Sequence, residues 1–201
     1  METLTSSDFI FKVIAVGSAS VGKTSLTLRY ATNRFEDDYK MTLGLNLTNK
    51  NVKIEYKGDD ITVQLSIWDT GGQISFAPLL PMCYKGALGA LIVYDLTKRS
   101  TFERVENWVK DVKEHCNQIP LVIIGNKKDL EENIEVSTEE GQKKADKIQK
   151  NWKSKVIFYE TSAKEDIKVD ESFTSLAETI LKIVDEEEDV EEPEFDNLLT
   201  E

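Results

Sequence analysis

The chain has 201 residues, 40% of them apolar and 31% charged, which is the composition of a single globular domain and excludes a chain that is disordered throughout. Its longest apolar run, at 86–94, is about half of the ~18 residues that a membrane-spanning helix requires. The net charge of −12 is concentrated in residues 185–201, which contain ten acidic residues and no basic one, and no basic cluster offsets it, so we do not expect nucleic-acid binding.

Short β-rich runs alternate with segments of helical spacing, beginning with a strand predicted at 9–16 and a helix at 23–32. Two runs at 45–56 and 61–68 flank a turn-rich link at 57–60 and predict an antiparallel hairpin. The remaining predicted elements are strands at 88–94, 121–125 and 156–159 and helices at 100–116, 138–151 and 170–184. The sequence therefore predicts an α/β fold, a six-stranded, mostly parallel sheet with one antiparallel edge strand and helices on both faces.

This predicted domain covers residues 1–184, and the acidic tail at 185–201 is predicted to be disordered because it has too few apolar residues to form a core.

A segment between the first predicted strand and helix matches the phosphate-binding pattern G-x-x-x-x-G-K-[ST]. Its residues are Gly17, Ser18, Ala19, Ser20, Val21, Gly22, Lys23 and Thr24, with Ser25 next as a further candidate contact. Glycines let backbone N–H groups turn inward around a phosphate, and the helix N-terminus adds positive potential. Lys23 would neutralise phosphate charge, and the Thr24 hydroxyl is a candidate Mg²⁺ ligand. The pattern predicts nucleoside triphosphate binding but names neither base nor reaction, so a kinase or an ATPase remains possible.

Two polar loops follow later predicted strands, at the carboxyl ends where ligands bind in open α/β sheets. The loops are Asn126-Lys127-Lys128-Asp129 and Thr161-Ser162-Ala163-Lys164. Together with the phosphate loop they resemble the N-K-x-D and S-A-K elements by which the Ras superfamily of small GTPases recognises guanine. The resemblance extends from residue 9 to about 184 and implies a P-loop G domain.

The resemblance also implies a role for each loop residue. The Asp129 carboxylate would accept the N1–H and the exocyclic N2–H of guanine, a pair of donors that adenine does not offer. Asn126 and the Ala163 backbone N–H would serve the other side of the base, and the stems of Lys127 and Lys164 would pack against it. Asp129 is therefore the predicted discriminating residue, and its presence disfavours a kinase or an ATPase.

Three residues beyond the first predicted helix stand where the family places its first switch: Phe35, Tyr39 and Thr42. The resemblance implies that Phe35 lies against guanine, that Tyr39 lies over the phosphates and that Thr42 binds Mg²⁺ and the γ-phosphate. A core contact for Phe35, a surface position for Tyr39 and a simple turn at Thr42 are the alternatives. Loss of the γ-phosphate would release this segment.

The run Asp69-Thr70-Gly71-Gly72-Gln73 is similar to the family's D-x-x-G-Q element. The resemblance implies that Asp69 supports the Mg²⁺ shell, that the Gly72 N–H meets the γ-phosphate and that Gln73 orients the attacking water. Such phosphoryl transfer depends on positioning and charge stabilisation, so it requires no strong nucleophile. The predicted catalytic residues are Gln73, Lys23 and Gly72, and the predicted metal-binding residues are Thr24, Thr42 and Asp69.

Several stretches are similar to the Rab branch of the superfamily: Trp68 before Asp69, Tyr84-Lys85-Gly86-Ala87 and Val93-Tyr94-Asp95-Leu96-Thr97. Ala19, Leu47 and Gly71 depart from the residues usual at their positions. The segment 74–82 is a larger departure, because it is uncharged and its two prolines would interrupt a helix. It is predicted to be a docking surface, or alternatively to pack on the neighbouring helix.

Neither a cysteine after Cys116 nor a C-a-a-X box is found, so we expect no prenyl membrane anchor. The stretch 194–199 is a candidate docking peptide, or alternatively part of a solvated tail. No basic residue precedes Lys12, as a secretory signal or transit peptide would require, so a cytoplasmic location is expected.

The resemblance as a whole implies a Mg²⁺-dependent molecular switch that binds GTP or GDP and hydrolyses GTP slowly without an activating partner. Its expected partners are effector proteins, an exchange factor and a GTPase-activating protein, and the chain is expected to be a monomer. The alternative is a guanine-nucleotide-binding scaffold with little hydrolysis, for which Ala19 and the segment 74–82 leave room.

Overall fold

The computed structural model of the protein describes residues 7–36, 44–71 and 80–191. The strands are β1 (Phe9–Gly17), β2 (Leu45–Tyr56), β3 (Asp59–Thr70), β4 (Gly89–Asp95), β5 (Leu121–Asn126) and β6 (Val156–Glu160). The helices are α1 (Lys23–Thr32), α2 (Leu80–Tyr84), α3 (Arg99–Glu103), α4 (Val105–Cys116), α5 (Thr138–Gln149) and α6 (Val169–Glu191).

The six strands form one sheet in the order β2-β3-β1-β4-β5-β6. The pairing of β2 with β3 is antiparallel and the other four pairings are parallel, so the predicted fold class is confirmed. All residues of β4 and β5 are buried, as expected for central strands with helices on both faces. The edge strand β2 instead alternates between half-buried and exposed positions over most of its length.

An apolar core lies on each face of the sheet. One core includes side chains of α1 and α6, and there the ring of Tyr30 stacks on Phe173 with centroids 4.2 Å apart. The other includes side chains of α4 and α5, such as Val112 and Ile148. Burial of both faces leaves the loops at the carboxyl ends of the parallel strands as the place where polar side chains gather.

Several boundaries differ from the sequence prediction. The turn between β2 and β3 is formed by Lys57 and Gly58 alone, both with positive φ, so β3 begins at Asp59 instead of residue 61. The helix predicted at 100–116 is divided into α3 and α4 at Arg104.

Helix α6 extends to Glu191, beyond the predicted end at 184. Its acidic extension is anchored to the β2–β3 hairpin, because Asp185 accepts a hydrogen bond from the Tyr56 hydroxyl at 3.0 Å and lies 2.6 Å from the Lys57 ammonium.

The unpredicted α2 has Pro81 in its first turn, where the missing N–H breaks no helical hydrogen bond. Within the described part of the chain, we find no helix with the length and apolar character needed to cross a membrane.

Candidate functional site

The phosphate loop joins the end of β1 to the start of α1, as predicted, and two of its glycines are required by close contacts. Gly17 has φ +147°, and a Cβ at this position would lie 2.2 Å from the carbonyl oxygen of Val93. Gly22 has φ +96°, and a Cβ there would lie 2.3 Å from Asn126 Nδ2. Side chains would therefore separate the phosphate loop from β4 and from the loop that follows β5.

Lys23 lies inside this loop, with only 5% of its surface exposed. Its ammonium donates hydrogen bonds to the carbonyl oxygens of Gly17 and Ser18, both at 2.9 Å. Burial lowers the pKa of Lys23 to about 8, although the nearby Asp69 opposes this shift. The Ser18 hydroxyl is also buried and has no hydrogen-bond partner among the described residues. An anionic ligand would add negative charge beside this buried ammonium and an acceptor for the Ser18 hydroxyl.

The loop's flank towards β3 contains the predicted metal-binding residues Thr24 and Asp69. The Thr24 hydroxyl donates a hydrogen bond to Asp69 Oδ2, and Asp69 is fully buried. Burial raises the pKa of Asp69 to about 6, against the effects of the Thr24 hydrogen bond and of Lys23. Its second oxygen, Oδ1, has no hydrogen-bond partner in the described part of the chain. A hydroxyl beside a carboxylate with a buried unpartnered oxygen fits a hard cation such as Mg²⁺, which prefers oxygen ligands.

Asn126 connects the phosphate loop to the candidate base-binding loops. Its Nδ2 donates to the carbonyl oxygen of Val21 at 3.0 Å. Its Oδ1 accepts from the Thr161 hydroxyl at 3.1 Å and from the Ala163 N–H at 3.3 Å. The N–H that the resemblance assigns to the base therefore has an internal acceptor in this structure.

Asp129 is half-buried at the end of the first base-binding loop and is held by Ser162 from the second. The Ser162 hydroxyl donates to Asp129 Oδ1 at 2.6 Å and accepts from the Glu165 N–H at 3.0 Å. The hydroxyl thus fixes one oxygen of the carboxylate, and it brings the two predicted guanine-binding elements together.

The Lys127 ammonium lies 2.7 Å from Asp95 Oδ2, and the predicted contact of its stem with guanine stays a prediction. Asp95 is completely buried at the carboxyl end of β4, and its other oxygen accepts hydrogen bonds from the Thr97 N–H and hydroxyl at 2.9 and 2.7 Å. Lys127 also has a positive φ of 71°. The ion pair holds this strained loop position, a role for Asp95 that sequence reasoning missed although its place at a strand end was a signal.

Arg29 of α1 is a second residue that sequence reasoning missed. Its guanidinium donates to the carbonyl oxygens of Ala163 and Lys164 at 2.8 and 2.9 Å, and to that of Asn33 at 3.0 Å. It therefore joins the second base-binding loop to the end of α1. No sequence signal indicates this contact, since Arg29 and Ala163 are 134 positions apart.

The other predicted contacts divide into two groups. Ala19 and Ser20 are exposed at the tip of the phosphate loop, Ser25 is half-buried in α1, and Phe35 packs against the apolar core on the α1 and α6 face. This agrees with the core-contact alternative for Phe35 and does not test its contact with guanine. The remaining predicted residues lie outside the described residues: Tyr39, Thr42, Gly72 and Gln73.

The two internal stretches outside the described residues, 37–43 and 72–79, are flanked by residues that contact each other. The Gly71 N–H donates to the Gly44 carbonyl oxygen at 2.9 Å, and the Thr70 hydroxyl donates to the Ala15 carbonyl oxygen at 2.9 Å. The residues that flank both predicted switches are thus attached to each other and to the phosphate-binding end of β1.

The sequence pattern of the Ras family matches residues 12–182. The chain is 36% identical over 178 residues to the Ras-related protein Rab11B of Nicotiana tabacum, covering 88% of this chain and 77% of that protein. It is 37% identical over 175 residues to the Ras-related protein Rab-13 of Rattus norvegicus, covering 87% and 81%, and 38% identical over the same length to that of Bos taurus. The chain belongs to the Ras family, and it is a Rab-like small GTPase that binds guanine nucleotide.

Proposed function

We propose that this GTPase is a Mg²⁺-dependent switch, in which the segments around Thr42 and Gln73 respond to the γ-phosphate and control partner binding. The observation that carries the proposal is the buried group formed by Lys23, Thr24 and Asp69. In this group the buried Lys23 ammonium donates to two backbone carbonyl oxygens, and Asp69 Oδ1 has no hydrogen-bond partner among the described residues. A nucleotide would add negative charge beside the ammonium, and its cation would give Asp69 Oδ1 a partner.

The chain's own residues would divide the reaction between binding and positioning. Lys23 and the phosphate-loop N–H groups hold the β- and γ-phosphates, and Thr24, Thr42 and Asp69 hold the cation or its water ligands. When bound, Mg²⁺ supplies positive charge to the phosphate oxygens. Gln73 orients a water molecule whose oxygen bonds to the γ-phosphorus as the bond to the β-phosphate oxygen breaks, leaving GDP and phosphate.

The switching step would follow from how the two segments are anchored. The bond between Gly71 and Gly44 places the ends of both segments together. Contacts of Thr42 and the Gly72 N–H with the γ-phosphate would order both segments, and hydrolysis would remove those contacts. Hydrolysis alone would then change the protein surface formed by both segments, next to the ends of β2 and β3.

The surface beside these strand ends supports a role in partner binding. Leu47 of β2 is 55% exposed, although it pairs in register with Trp68, and Met82 of α2 is 60% exposed. Exposed apolar side chains near a switch are typical of a docking surface. We propose that nucleotide-dependent effectors bind here, that an exchange factor and a GTPase-activating protein act on the same segments, and that the chain works as a monomer.

The test begins with the nucleotide that the purified protein retains, which is released by denaturation and separated by chromatography. The switch predicts mostly GDP, a single-turnover hydrolysis rate of roughly 10⁻⁴ per second without a partner, and faster GDP release when EDTA removes Mg²⁺. Retained GTP with no measurable turnover would instead identify a guanine-nucleotide-binding scaffold. GDP release that is indifferent to EDTA would contradict the Mg²⁺ site.

A further inference from the structure

Two adjoining depressions on the face of α4 and α5 form one groove that the nucleotide site does not use. The first, of about 240 Å³, lies between the two helices, and its floor includes the buried side chains of Ile148 and Trp152. The second, of about 440 Å³, continues towards Asn117. Because Lys113 lines both, we treat them as a single feature and call it the lysine groove.

The lysine groove is positively charged although the whole chain carries −12. Its rim has four lysines, at 110, 113, 147 and 153, and one carboxylate, Glu106. Glu106 is already engaged by the ammonium groups of Lys144 and Lys147 at 3.1 and 3.0 Å. Among the described residues, Lys113 and Lys153 have no carboxylate within ion-pair distance. The groove therefore combines an apolar floor with ammonium groups that an acidic ligand would neutralise.

The chain itself contains a segment of complementary composition. Residues 192–201 include four carboxylates and no basic residue, with Phe195, Leu198 and Leu199 between them. Carboxylates match the lysine rim, and the apolar side chains match a floor of indole and aliphatic groups.

The fold brings the start of this segment and the lysine groove to the same end of the molecule. Helices α4 and α5 lead directly into β5 and β6, so their last turns lie at the amino ends of the parallel strands. The last turns of α6 lie there as well, because Asp185 contacts Tyr56 and Lys57 at the β2–β3 turn. From Glu191 the ten following residues span up to about 33 Å when extended. Because α6 packs on the opposite face of the sheet from α4 and α5, docking requires the segment to pass around the end of the sheet within this length.

We propose that residues 192–201 dock in the lysine groove of the same molecule. The carboxylates of the segment pair with Lys113 and Lys153, and its apolar side chains cover the floor at Trp152. Docking closes this face of α4 and α5 to other proteins, and salt weakens it because the charges lie at an exposed rim.

The test is zero-length carbodiimide cross-linking of the full chain, made as an equal mixture of ¹⁴N- and ¹⁵N-labelled protein. Mass spectrometry is expected to find cross-links from Lys113 or Lys153 to carboxylates of 192–201, each within a chain of one isotope. In about 0.5 M salt this yield is expected to fall about tenfold. The double variant Lys113→Glu, Lys153→Glu removes the two reacting amines, so its yield is measured at the retained groove lysines Lys110 and Lys147, where it is also expected to fall about tenfold. The matched control, Lys53→Glu with Lys168→Glu, reverses two exposed lysines outside the groove and leaves the yield unchanged.

A second variant tests the same contact without altering the folded domain. Glu192→Gln, Glu194→Gln and Asp196→Asn together remove three carboxylates of the segment. Backbone amides of 192–201 are expected to exchange hydrogen several-fold faster in this variant and in the groove variant than in the unaltered chain.

Three results would overturn the proposal. Cross-links that join ¹⁴N to ¹⁵N chains would place the segment in the groove of a second copy. Cross-links of equal yield to lysines inside and outside the groove would show unspecific attraction. Amides of 192–201 that exchange equally fast in the unaltered chain and in both variants would show that the segment does not dock. The groove would then bind an acidic partner other than this chain.

Discussion

The side-chain amide of Asn126 contacts three residues from two segments that are far apart in the sequence. It donates to the phosphate loop at Val21 and accepts from Thr161 and Ala163 beyond β6. Both ends of the amide are thus fixed, and Gly22 packs against it without room for a Cβ. This arrangement sets the separation between the phosphate and base loops, a separation that must match one nucleotide.

Replacing Asp129 tests the base assignment at a single residue. Asp129→Asn keeps an oxygen that accepts from Ser162, so the loop is expected to keep its shape. The amide reverses half of the donor pattern, and GTP affinity is expected to fall about tenfold to a hundredfold, while xanthosine triphosphate binds better. Competition binding of the two nucleotides measures both effects, with the exposed Glu131→Gln as control. Unchanged GTP affinity would remove Asp129 from the base site.

Replacing Asp95 tests a residue that acts on the base-binding loop through its ion pair with Lys127. In Asp95→Asn the amide oxygen still accepts from Thr97, but the Lys127 ammonium loses its countercharge. The loop carrying Asp129 is then less firmly held, and GDP is expected to dissociate about tenfold faster. Stopped-flow release of a fluorescent GDP analogue gives the rate.

The comparison for Asp95 is Glu160→Gln, which removes the neighbouring ion pair with Lys128, 2.7 Å long, at the outer side of the same loop. Release within about twofold of the unaltered rate is expected, since partly exposed pairs contribute little. Equally faster GDP release in both variants would mean that the overall charge around the loop controls release, and not the contact between Asp95 and Lys127.

At the scale of elements, the N-terminus of α5 depends on Glu140. Its carboxylate accepts from the Ser137 N–H while the Ser137 hydroxyl accepts from the Glu140 N–H, and it is paired with Arg99 at 2.8 Å. The Arg99 hydrogen bond, with that of Ser137, lowers the pKa of Glu140 from 4.5 to about 2. The folded state therefore binds this proton less readily than the unfolded chain.

The sign of this shift gives a pH prediction. The stabilisation by Glu140 is complete above pH 4.5 and is lost as the pH falls towards about 2. Glu140→Gln is expected to lower the urea midpoint near neutral pH, and the difference from the unaltered chain is expected to shrink on acidification through that range. The variant Glu132→Gln serves as the comparison. A difference that stays constant with pH would assign the loss to packing and not to the charge.

The strands and the longer helices were predictable because local patterns determine them. The five-residue α2 was not predicted, and the joints depend on contacts between elements. The alternation of apolar runs identified each strand of the sheet, and the phosphate loop fell where the pattern requires a strand and a helix. The division at Arg104 and the extension of α6 were not predicted. The extension of α6 depends on the contacts of Asp185 with Tyr56 and Lys57, which lie 129 and 128 positions earlier in the chain.

The sequence predicted the motif residues of the site, but not the residues that hold the motif loops in place. Lys23 and Thr24 come from one short pattern and Asp69 from another at the end of β3, and the pairing of β1 with β3 brings them together. Their roles toward phosphate and Mg²⁺ stay predictions. The contacts of Arg29 and Asp95 were not predicted, since their distant partners lie in the loops after β6 and β5 and no spacing rule links them. The lysine groove was missed for the same reason, because its lysines come from two helices and from the loop before β6.

At the scale of the whole molecule, Gln73→Leu tests whether hydrolysis sets the state of the switch. Gln73 lies outside the described residues, and its assignment to the attacking water rests on the family resemblance. The variant is expected to hydrolyse GTP more than about tenfold more slowly, because leucine cannot orient the water. GDP affinity is expected to stay close to that of the unaltered protein.

Single-turnover phosphate release measures the effect of Gln73→Leu, and the nucleotide content of the purified variant gives an independent reading. A larger share of retained GTP is expected. Ser175→Ala, on the half-buried part of α6, is the matched control and should leave hydrolysis unchanged. Hydrolysis at the unaltered rate in Gln73→Leu would exclude this residue from the reaction.

The base half and the phosphate half of the proposed nucleotide site differ in whether their polar groups already have partners within the protein. In the base half, Asn126, Lys127 and Asp129 already have partners within the protein. In the phosphate half, the Ser18 hydroxyl and Asp69 Oδ1 are buried without a partner among the described residues. In the proposed site, guanine would therefore meet groups whose positions are set beforehand, and it would contribute selectivity more than binding strength. The phosphates and their cation would give these buried groups their first partners. We therefore expect guanosine without phosphates to bind selectively but weakly.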